Sequence, residues 1–222
     1  MSEIASQLAL VRQSLPAGVT LVAVSKTHPA EAVRAAYDAG QRVFGESRPQ
    51  ELRGKYDALP KDIEWHMIGH LQTNKVKYIA PFVSMIQSVD SARLAETIQR
   101  EAARCGRKIG ILLEIRIAEE ETKSGWAFDE LMRYVGTVEL NRMANIEVRG
   151  VMGIATNTDD PCRVRRDFEV LKRDFDILQP NFGPRFNVIS MGMSHDYPLA
   201  VECGSTMVRV GSLIFGERDY SK

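Results

Sequence analysis

Residues 19–29 read VTLVAVSKTHP, and this stretch decides how the rest of the chain is interpreted. Its apolar, β-branched half predicts a buried strand, and Pro29 followed by residues 30–39 predicts the first turn of a helix. A doubly wound nucleotide-binding sheet usually carries a glycine-rich loop at this junction. Here Ser25-Lys26-Thr27-His28 stands there instead. The stretch therefore favours a parallel barrel over a doubly wound sheet, and it sets Lys26 at the end of the first strand.

The same strand, loop and helix pattern recurs along the whole chain. The eight apolar runs are residues 19–24, 41–44, 63–68, 82–86, 108–117, 146–154, 185–189 and 207–210. Strict alternation of strands and helices predicts an α/β fold, a single (β/α)8 TIM-type barrel, with an extra helix over residues 2–14 in front of it. Further helices are expected over residues 30–39, closed by a left-handed Gly40, and over residues 91–104. No Gly, Ser or Pro-rich linker divides the chain, so we expect one domain over residues 1–222.

Composition restricts the class of partner. Lys and Arg total 29 and Asp and Glu total 29, so no basic excess indicates nucleic acid or an anionic membrane. The cysteines Cys105, Cys162 and Cys203 lack a CxxC spacing and are expected to be small buried hydrophobic residues rather than nucleophiles. No apolar run approaches the roughly 18 residues that span a bilayer, and residues 1–3 do not begin a signal peptide. We expect a cytoplasmic protein.

In a parallel barrel the functional groups lie in the loops after the strands. Lys26, partly desolvated at such a position, could form an imine with an aldehyde; the alternative is an ordinary solvated lysine. The loops after strands seven and eight carry small and hydroxyl residues, where a barrel commonly binds phosphate. The phosphate candidates are Gly192, Ser194, Gly211 and Ser212. An aldehyde-bearing phosphate would link this group to Lys26.

A metal centre is the alternative that His66 and His70 raise. The two histidines lie on the end of a predicted strand, where residues four apart are separated by about 13 Å. One ion needs ligands that converge. A metal-dependent hydrolase that uses His66, His70 and Asp196 is therefore a minor hypothesis.

The ordered motifs of the chain resemble the pyridoxal-phosphate-binding homeostasis proteins, the YggS/PROSC-type family, which is related to the N-terminal barrel of alanine racemase. The matching segments are residues 24–27 (VSKT), 44–46 (FGE), 65–75 (WHMIGHLQTNK), 123–125 (KSG), 150–152 (GVM), 190–194 (SMGMS), 204–206 (GST), 208–211 (VRVG) and 214–218 (IFGER). Three positions depart from the family's usual residues: Ser47 and Arg116 stand where the family often has Asn, and His70 stands where it commonly has Pro.

The resemblance implies that pyridoxal 5′-phosphate is the cofactor, held as a covalent aldimine on Lys26. It further implies that Ser194, Gly211 and Ser212 bind the phosphate, and that Arg209 lies beside the pyridine nitrogen. Ser47 and His66 complete the expected cofactor-binding residues, which are all binding rather than catalytic. A guanidinium beside the ring nitrogen disfavours protonation of that nitrogen and discourages carbanion chemistry.

Two functions are compatible with these motifs. The first is a non-catalytic protein of intracellular pyridoxal phosphate homeostasis, expected to be monomeric, with apoenzymes as possible recipients of the cofactor. The second is an amino-acid racemase of weak or narrow activity. A racemase of this type needs a further domain and a second base, for which Tyr197 and Tyr220 are the candidates. The sequence after Arg209 offers no such domain, which favours the first function.

Overall fold

The computed structural model describes residues 2–120, 123–137 and 140–217, and their strands form a closed parallel barrel in sequence order. The strands are β1 (Thr20–Val24), β2 (Val43–Glu46), β3 (Glu64–Met67), β4 (Met85–Val89), β5 (Ile109–Glu114), β6 (Ile146–Met152), β7 (Val188–Ser190) and β8 (Met207–Val210). Strand β1 pairs in parallel with both β2 and β8 and so closes the ring. The (β/α)8 fold expected from the alternation is confirmed.

Helices follow the strands on the outside of the barrel. They are α1 (Glu3–Ser14), α2 (Ala30–Asp38), α3 (Pro49–Ala58), α4 (Val76–Ile79), α5 (Ala92–Arg104), α6 (Phe128–Thr137), α7 (Pro161–Phe182), α8 (Tyr197–Glu202) and α9 (Ser212–Phe215). The expected extra helix is α1, which Ser2 caps by accepting a hydrogen bond from Ala5 N. Gly40 has φ +90° and ends α2 in the left-handed region, as predicted.

Two apolar regions hold the barrel together. Between sheet and helices lies the larger one, with Phe44, Trp65 and Phe168 fully or almost fully buried. Inside the barrel the apolar side chains are fewer; they are Val22, Met85, Leu112, Met152, Val188 and Met207. Towards the carboxyl ends of the strands the buried side chains become polar, and they include Gln87, Glu114, Ser190 and Arg209. Because small parallel barrels are usually filled with branched apolar residues, this polar end indicates where a ligand would bind.

Strand β4 begins three residues later than the run 82–86 that the sequence predicted. Phe82 N and Val83 N both donate to Ile79 O, so these apolar residues belong to the turn that ends α4. The strand continues instead through Gln87 and Ser88, which are polar yet buried. Apolar runs misplace the bounds of such a strand, because its buried polar side chains are hydrogen-bonded to other protein groups and so tolerate burial.

The expectation that all three cysteines are buried is wrong. Cys105 caps the end of α5 and Cys162 lies in the first turn of α7, and both are exposed. None of the three forms a disulfide. Within the described ranges, none of the helices combines the length and apolar character needed to cross a membrane.

Candidate functional site

Lys26 lies at the second position of a tight turn between β1 and α2. His28 N donates to Ser25 O over 3.1 Å, which closes the turn, and Thr27 has φ +69° at its third position. A β-branched residue seldom adopts a positive φ, and such a conformation costs about 1–3 kcal/mol. The turn is therefore held in place by contacts outside itself.

Those contacts come from the Lys55 cluster, which we define as Ser25, Glu46, Glu51 and Lys55. Lys55 Nζ donates to Ser25 O over 2.7 Å, to Glu46 Oε1 over 2.7 Å and to Glu51 Oε1 over 2.8 Å. An ammonium has three N–H donors, so all of them are used. Lys55 is 6% exposed, and an uncompensated charge there would be costly. The cluster thus depends on all of its members.

The cluster contacts the Lys26 turn from both sides. Before Lys26, Ser25 Oγ donates to Glu46 Oε1 over 2.6 Å; after it, Thr27 N donates to Glu51 Oε1 over 2.7 Å. Lys55 and Glu51 are not among the candidate residues that the sequence motifs indicate. The available signal was their spacing of four residues on a predicted helix, which brings a glutamate and a lysine together but is also common on solvated faces.

Glu46 is fully buried, and its second oxygen, Oε2, has no hydrogen-bond partner among the described residues. Burial raises the pKa of Glu46 to about 7, although Lys55 and Ser25 act in the opposite direction. The ordinary value is 4.5, so between about pH 4.5 and pH 7 the folded protein retains a proton that the unfolded chain releases. The stabilisation linked to this proton is fully present below that range and is lost as the pH rises through about 7.

Replacing Glu46 with glutamine should remove this pH dependence, because the amide does not titrate. Urea unfolding of both proteins at about pH 5 and about pH 8 should show the wild type losing on the order of 1–3 kcal/mol more than Glu46→Gln over that interval. Equal losses in the two proteins would show that Glu46 does not hold the proton.

The carboxyl ends of β7 and β8 bring Ser194 and Gly211 together. Gly211 N donates to Ser194 Oγ over 3.1 Å, and Gly211 directly precedes α9. A Cβ on Gly211 would lie 2.9 Å from Val24 O, so only glycine permits this approach to the end of β1. The ring of His28 lies 5.3 Å from that of Phe215, which connects the Lys26 turn to α9. The predicted phosphate residues and Lys26 therefore share one edge of the barrel.

Gly192 allows the loop after β7 to pass close to α8. It has φ +94°, and an added Cβ would lie 2.6 Å from Ala200 Cβ and 2.9 Å from Tyr197 Cα. Gly192 O also accepts a hydrogen bond from Arg209 N over 2.9 Å. The glycine thus supports the site through backbone geometry rather than through a side chain.

Gly192→Ala should lower the free energy of unfolding by about 2–4 kcal/mol, since it combines a strained φ with a steric overlap. Gly136→Ala is the matched control: Gly136 lies in α6 with nothing within 4 Å of an added Cβ. That variant should gain up to about 1 kcal/mol from helix propensity. Urea denaturation measures both, and equal stabilities would contradict the steric argument.

Arg209 is buried on β8 and held by uncharged acceptors. Nη1 donates to Ser190 O over 2.8 Å and to Ser190 Oγ over 2.7 Å, and Nη2 donates to Gly153 O over 3.0 Å. Burial lowers the pKa of Arg209 to about 10, against smaller opposite effects of Asp196 and Glu114. The guanidinium therefore presents a fixed positive charge inside the barrel at neutral pH.

A chain of hydrogen bonds extends from Arg209 across the barrel interior to His66. Ser190 Oγ donates to Gln87 Oε1 over 2.7 Å, and Gln87 Nε2 lies 2.9 Å from His66 Nδ1. Burial lowers the pKa of His66 to about 4, so the imidazole is neutral. Since Gln87 and Ser190 lie between them, any influence of His66 on a ligand beside Arg209 is indirect.

The two histidines that suggested a metal make separate contacts. His66 faces the barrel interior, whereas His70 is exposed and its Nδ1 lies 3.1 Å from Asp90 Oδ2. Asp196, the third proposed ligand, lies at the start of α8 and not beside either histidine's contacts. Among the residues that the structure describes, no group of three or more metal-ligating side chains is found.

The departures Ser47 and Arg116 occupy different places at the rim. Ser47 is half-buried after β2. The loop after β3 packs closely against it, since a Cβ on Gly69 would lie 2.7 Å from Ser47 O. Arg116 lies beyond the end of β5 and is exposed, with its N donating to Trp126 O over 3.0 Å. Ser47 stands nearer to the Lys26 turn, because β2 pairs with β1.

Glu114 is a further buried carboxyl that the sequence analysis did not identify. It ends β5, accepts a hydrogen bond from Ser124 Oγ over 2.9 Å and has an unpartnered Oε2 among the described residues. Burial raises its pKa, and the Arg209 guanidinium partly offsets this increase. A glutamate at the end of an apolar strand gives no signal of burial in the sequence.

Comparison with known proteins gives consistent matches over almost the whole chain. Residues 1–219 match the family model described as alanine racemase, N-terminal domain. The pyridoxal phosphate homeostasis protein of Aquifex aeolicus is 43% identical over 204 residues, which cover 90% of this chain and 87% of that protein. The protein of the same name from Escherichia coli K12 is 36% identical over 239 aligned positions and covers 100% of both.

Comparison with solved structures leads to the same family and fold. PipY of Synechococcus elongatus, determined with PLP bound, matches with a TM-score of 0.87 and 39% identity, covering 96% of this chain and 100% of that chain. An alanine racemase from a Streptomyces lavendulae that produces D-cycloserine matches with a TM-score of 0.80 and 19% identity, covering 96% of this chain and 56% of that chain. The second likeness concerns the fold alone.

Proposed function

Because this chain belongs to the YggS/PROSC family of pyridoxal phosphate homeostasis proteins, we propose that it binds pyridoxal 5′-phosphate and serves in its homeostasis without catalysing a reaction. The observation that carries the proposal is the meeting of three groups at the ends of adjacent strands. The Lys26 turn follows β1, Arg209 lies on β8, and Ser194 with Gly211 follows β7 and β8. The whole chain, residues 1–222, would act as a single cofactor-binding domain.

The residues present fit this cofactor. The close approach of Gly211 to Val24 leaves no space for a side chain, and the first N–H groups of α9 have no partner within their helix. Ser194 Oγ, which accepts from Gly211 N and keeps its own proton to donate, and the N–H of Ser212 are donors suited to a phosphate. Arg209 would contact the ring, Ser47 would lie at its edge, and His66 would support Arg209 through Gln87 and Ser190.

We propose that Lys26 holds the cofactor covalently, as a Schiff base to its aldehyde. When bound, pyridoxal phosphate supplies an aldehyde that condenses reversibly with amines and a ring that withdraws electrons. The turn presents Lys26 half-buried at the barrel mouth, between two residues that the Lys55 cluster fixes. A fixed backbone on both sides of Lys26 lowers the ordering that bond formation requires, which favours retention of the cofactor.

Arg209 supports a holding function rather than catalysis. A ring nitrogen beside a cationic guanidinium resists protonation, and an unprotonated ring stabilises a carbanion poorly. Arg209 keeps its charge at neutral pH because even its lowered pKa is about 10. The site therefore favours binding of the cofactor over removal of a proton from an amino acid.

The racemase alternative needs a second base, and the structure gives Tyr197 another role. Its hydroxyl oxygen lies 2.8 Å from Ser14 Oγ, so the side chain connects α8 to α1. Tyr220 and Arg218 lie outside the described residues. The distant likeness to alanine racemases, at 19% identity, does not favour racemisation.

An absorption spectrum before and after borohydride tests the binding proposal. The purified protein should be yellow, and borohydride should remove the long-wavelength band while fixing the cofactor to the chain. To test the absence of catalysis, the loaded protein is mixed with a panel of amino acids and α-proton exchange is followed by NMR. Exchange at catalytic rates would support the racemase instead, and stoichiometric zinc or manganese in the purified protein would support a metal enzyme.

The remaining expectations are part of the same proposal. Free thiols fit a cytoplasmic location, and the balanced charge fits a protein with no nucleic-acid or membrane partner. We propose a monomer that gives the cofactor to apoenzymes.

A further inference from the structure

Lys55 and Glu51 lie outside the barrel mouth, yet they contact the backbone on both sides of Lys26. Lys55 Nζ donates to Ser25 O, and Glu51 Oε1 accepts from Thr27 N. Both side chains come from α3, whereas the turn that they hold joins β1 to α2. The contacts of Lys55 are directed to the turn. Each hydrogen bond from Lys55 Nζ goes either to the turn itself or to a carboxylate that also bonds to the turn.

We propose that Lys55 and Glu51 are positioning residues for Lys26. They fix the backbone from which its side chain extends and so set the rate at which its unprotonated amine condenses with an aldehyde, forming the C=N bond and releasing the carbonyl oxygen as water. The inference rests on the proposed function of Lys26 and deepens it. Lys55 stabilises the carbonyl that closes the turn, and Glu51 stabilises the positive φ of Thr27 by accepting its N–H. Without these two contacts, the turn would lose the backbone conformation that holds Lys26 at the end of β1.

The alternative is that the cluster only stabilises the barrel. Lys55 is buried and paired with Glu46, and such pairs often matter to folding alone. The two roles differ in one respect. A folding role lowers the fraction of folded protein, whereas a positioning role slows the reaction of Lys26 in protein that remains folded.

The experiment measures how fast Lys26 is labelled by pyridoxal 5′-phosphate in cofactor-free protein. Samples are quenched with borohydride at successive times, and the modified Lys26 peptide is quantified by mass spectrometry. The variants are Lys55→Met, Glu51→Ala and Glu51→Gln. Lys172→Met is the matched control, since Lys172 also forms an i,i+4 ion pair, with Asp176, but on the exposed face of α7.

Lys55→Met should slow the labelling of Lys26 by about tenfold, because a small misplacement of a reacting group has a large kinetic effect. Glu51→Ala should slow it as well, and Glu51→Gln should restore most of the rate, since the amide oxygen can still accept from Thr27 N. Lys172→Met should react at the wild-type rate. The absorption band of the loaded Glu51→Ala protein should also shift, while that of Glu51→Gln should match the wild type.

If Lys55→Met does not fold, the Glu51 variants still distinguish the positioning role from the folding role. The Glu51 side chain is 22% exposed, so we expect the fold to tolerate its replacement. Wild-type labelling rates in folded Lys55→Met or in Glu51→Ala would overturn the inference. Equal slowing in Glu51→Ala and Glu51→Gln would also overturn the assigned role of Glu51 as an acceptor. A wild-type protein that is labelled elsewhere than at Lys26 refutes the proposed function itself, which is a distinguishable failure.

Discussion

The Lys26→Ala variant is expected to lose all borohydride-fixable labelling by pyridoxal 5′-phosphate while it folds normally. Lys26 is half-buried in a turn that contacts the Lys55 cluster through Ser25 O, Ser25 Oγ and Thr27 N. None of these three atoms belongs to Lys26, so we expect its replacement to leave those hydrogen bonds in place. The loss should therefore reflect the amine and not the fold. Mass spectrometry of the borohydride-treated protein, with circular dichroism of the same sample, measures both quantities.

Lys172→Ala is the control for this variant, because it removes a lysine from an exposed ion pair far along the chain. It should be labelled as fully as the wild type. Persistence of stoichiometric label in Lys26→Ala would mean that another amine holds the cofactor. Loss of label in both variants would mean that the loss is not specific to the removal of Lys26.

Arg209→Met is expected to have the largest effect on stability, about 3 kcal/mol or more. The substitution removes three hydrogen bonds that Arg209 donates in the barrel interior, to Ser190 O, Ser190 Oγ and Gly153 O. Ser190 O still accepts from Gly153 N and Ser190 Oγ still donates to Gln87, whereas Gly153 O loses the guanidinium donor. A buried acceptor without a partner costs about 1–3 kcal/mol, and hydrogen bonds to a charged group contribute about 1.5–3 kcal/mol each, so the loss of all three bonds should be large. Urea denaturation should show a lower midpoint, and any loaded protein should show an altered absorption spectrum because the charge beside the ring is gone.

Arg165→Met provides the comparison for Arg209→Met. Arg165 pairs with Glu202 on the surface with 43% of its side chain exposed, and such pairs contribute at most about 1 kcal/mol. Similar losses in the two variants would contradict the assignment of the buried hydrogen bonds to Arg209. Arg209→Glu would place a buried carboxylate beside two carbonyl oxygens and near Glu114. This charge reversal would destabilise the fold, so the variant tests folding rather than cofactor binding.

The sequence predicted the barrel and the strand ends that carry Lys26, Ser194, Arg209 and Gly211, because alternating apolar runs have few other solutions. It could not predict how the polar interior is arranged. Gln87 and Ser190 are ordinary polar residues in the sequence, yet they join Arg209 to His66 across four strands. Such contacts depend on the closure of the barrel, which no local pattern contains.

The Lys55 cluster was missed for a different reason. Its members are close in the sequence, but a glutamate and a lysine four residues apart on a helix usually indicate a solvated face. Burial of Lys55 follows only from the way α3 packs against β2 and β3. The exposed Cys105 and Cys162 show the opposite error, since composition alone suggested burial.

If the cofactor binds to Lys26, Arg209 and Gly211 as proposed, the pairing of β1 with β8 gives it a role in assembly. Lys26 follows the first strand of the barrel, whereas Arg209 lies on the last strand and Gly211 directly follows it. A growing chain can form the Lys26 turn and its α3 contacts but has nothing to hold a ring or a phosphate until its first and last strands meet. Cofactor binding is then selective for the closed ring, and by mass action it resists the opening of that one seam.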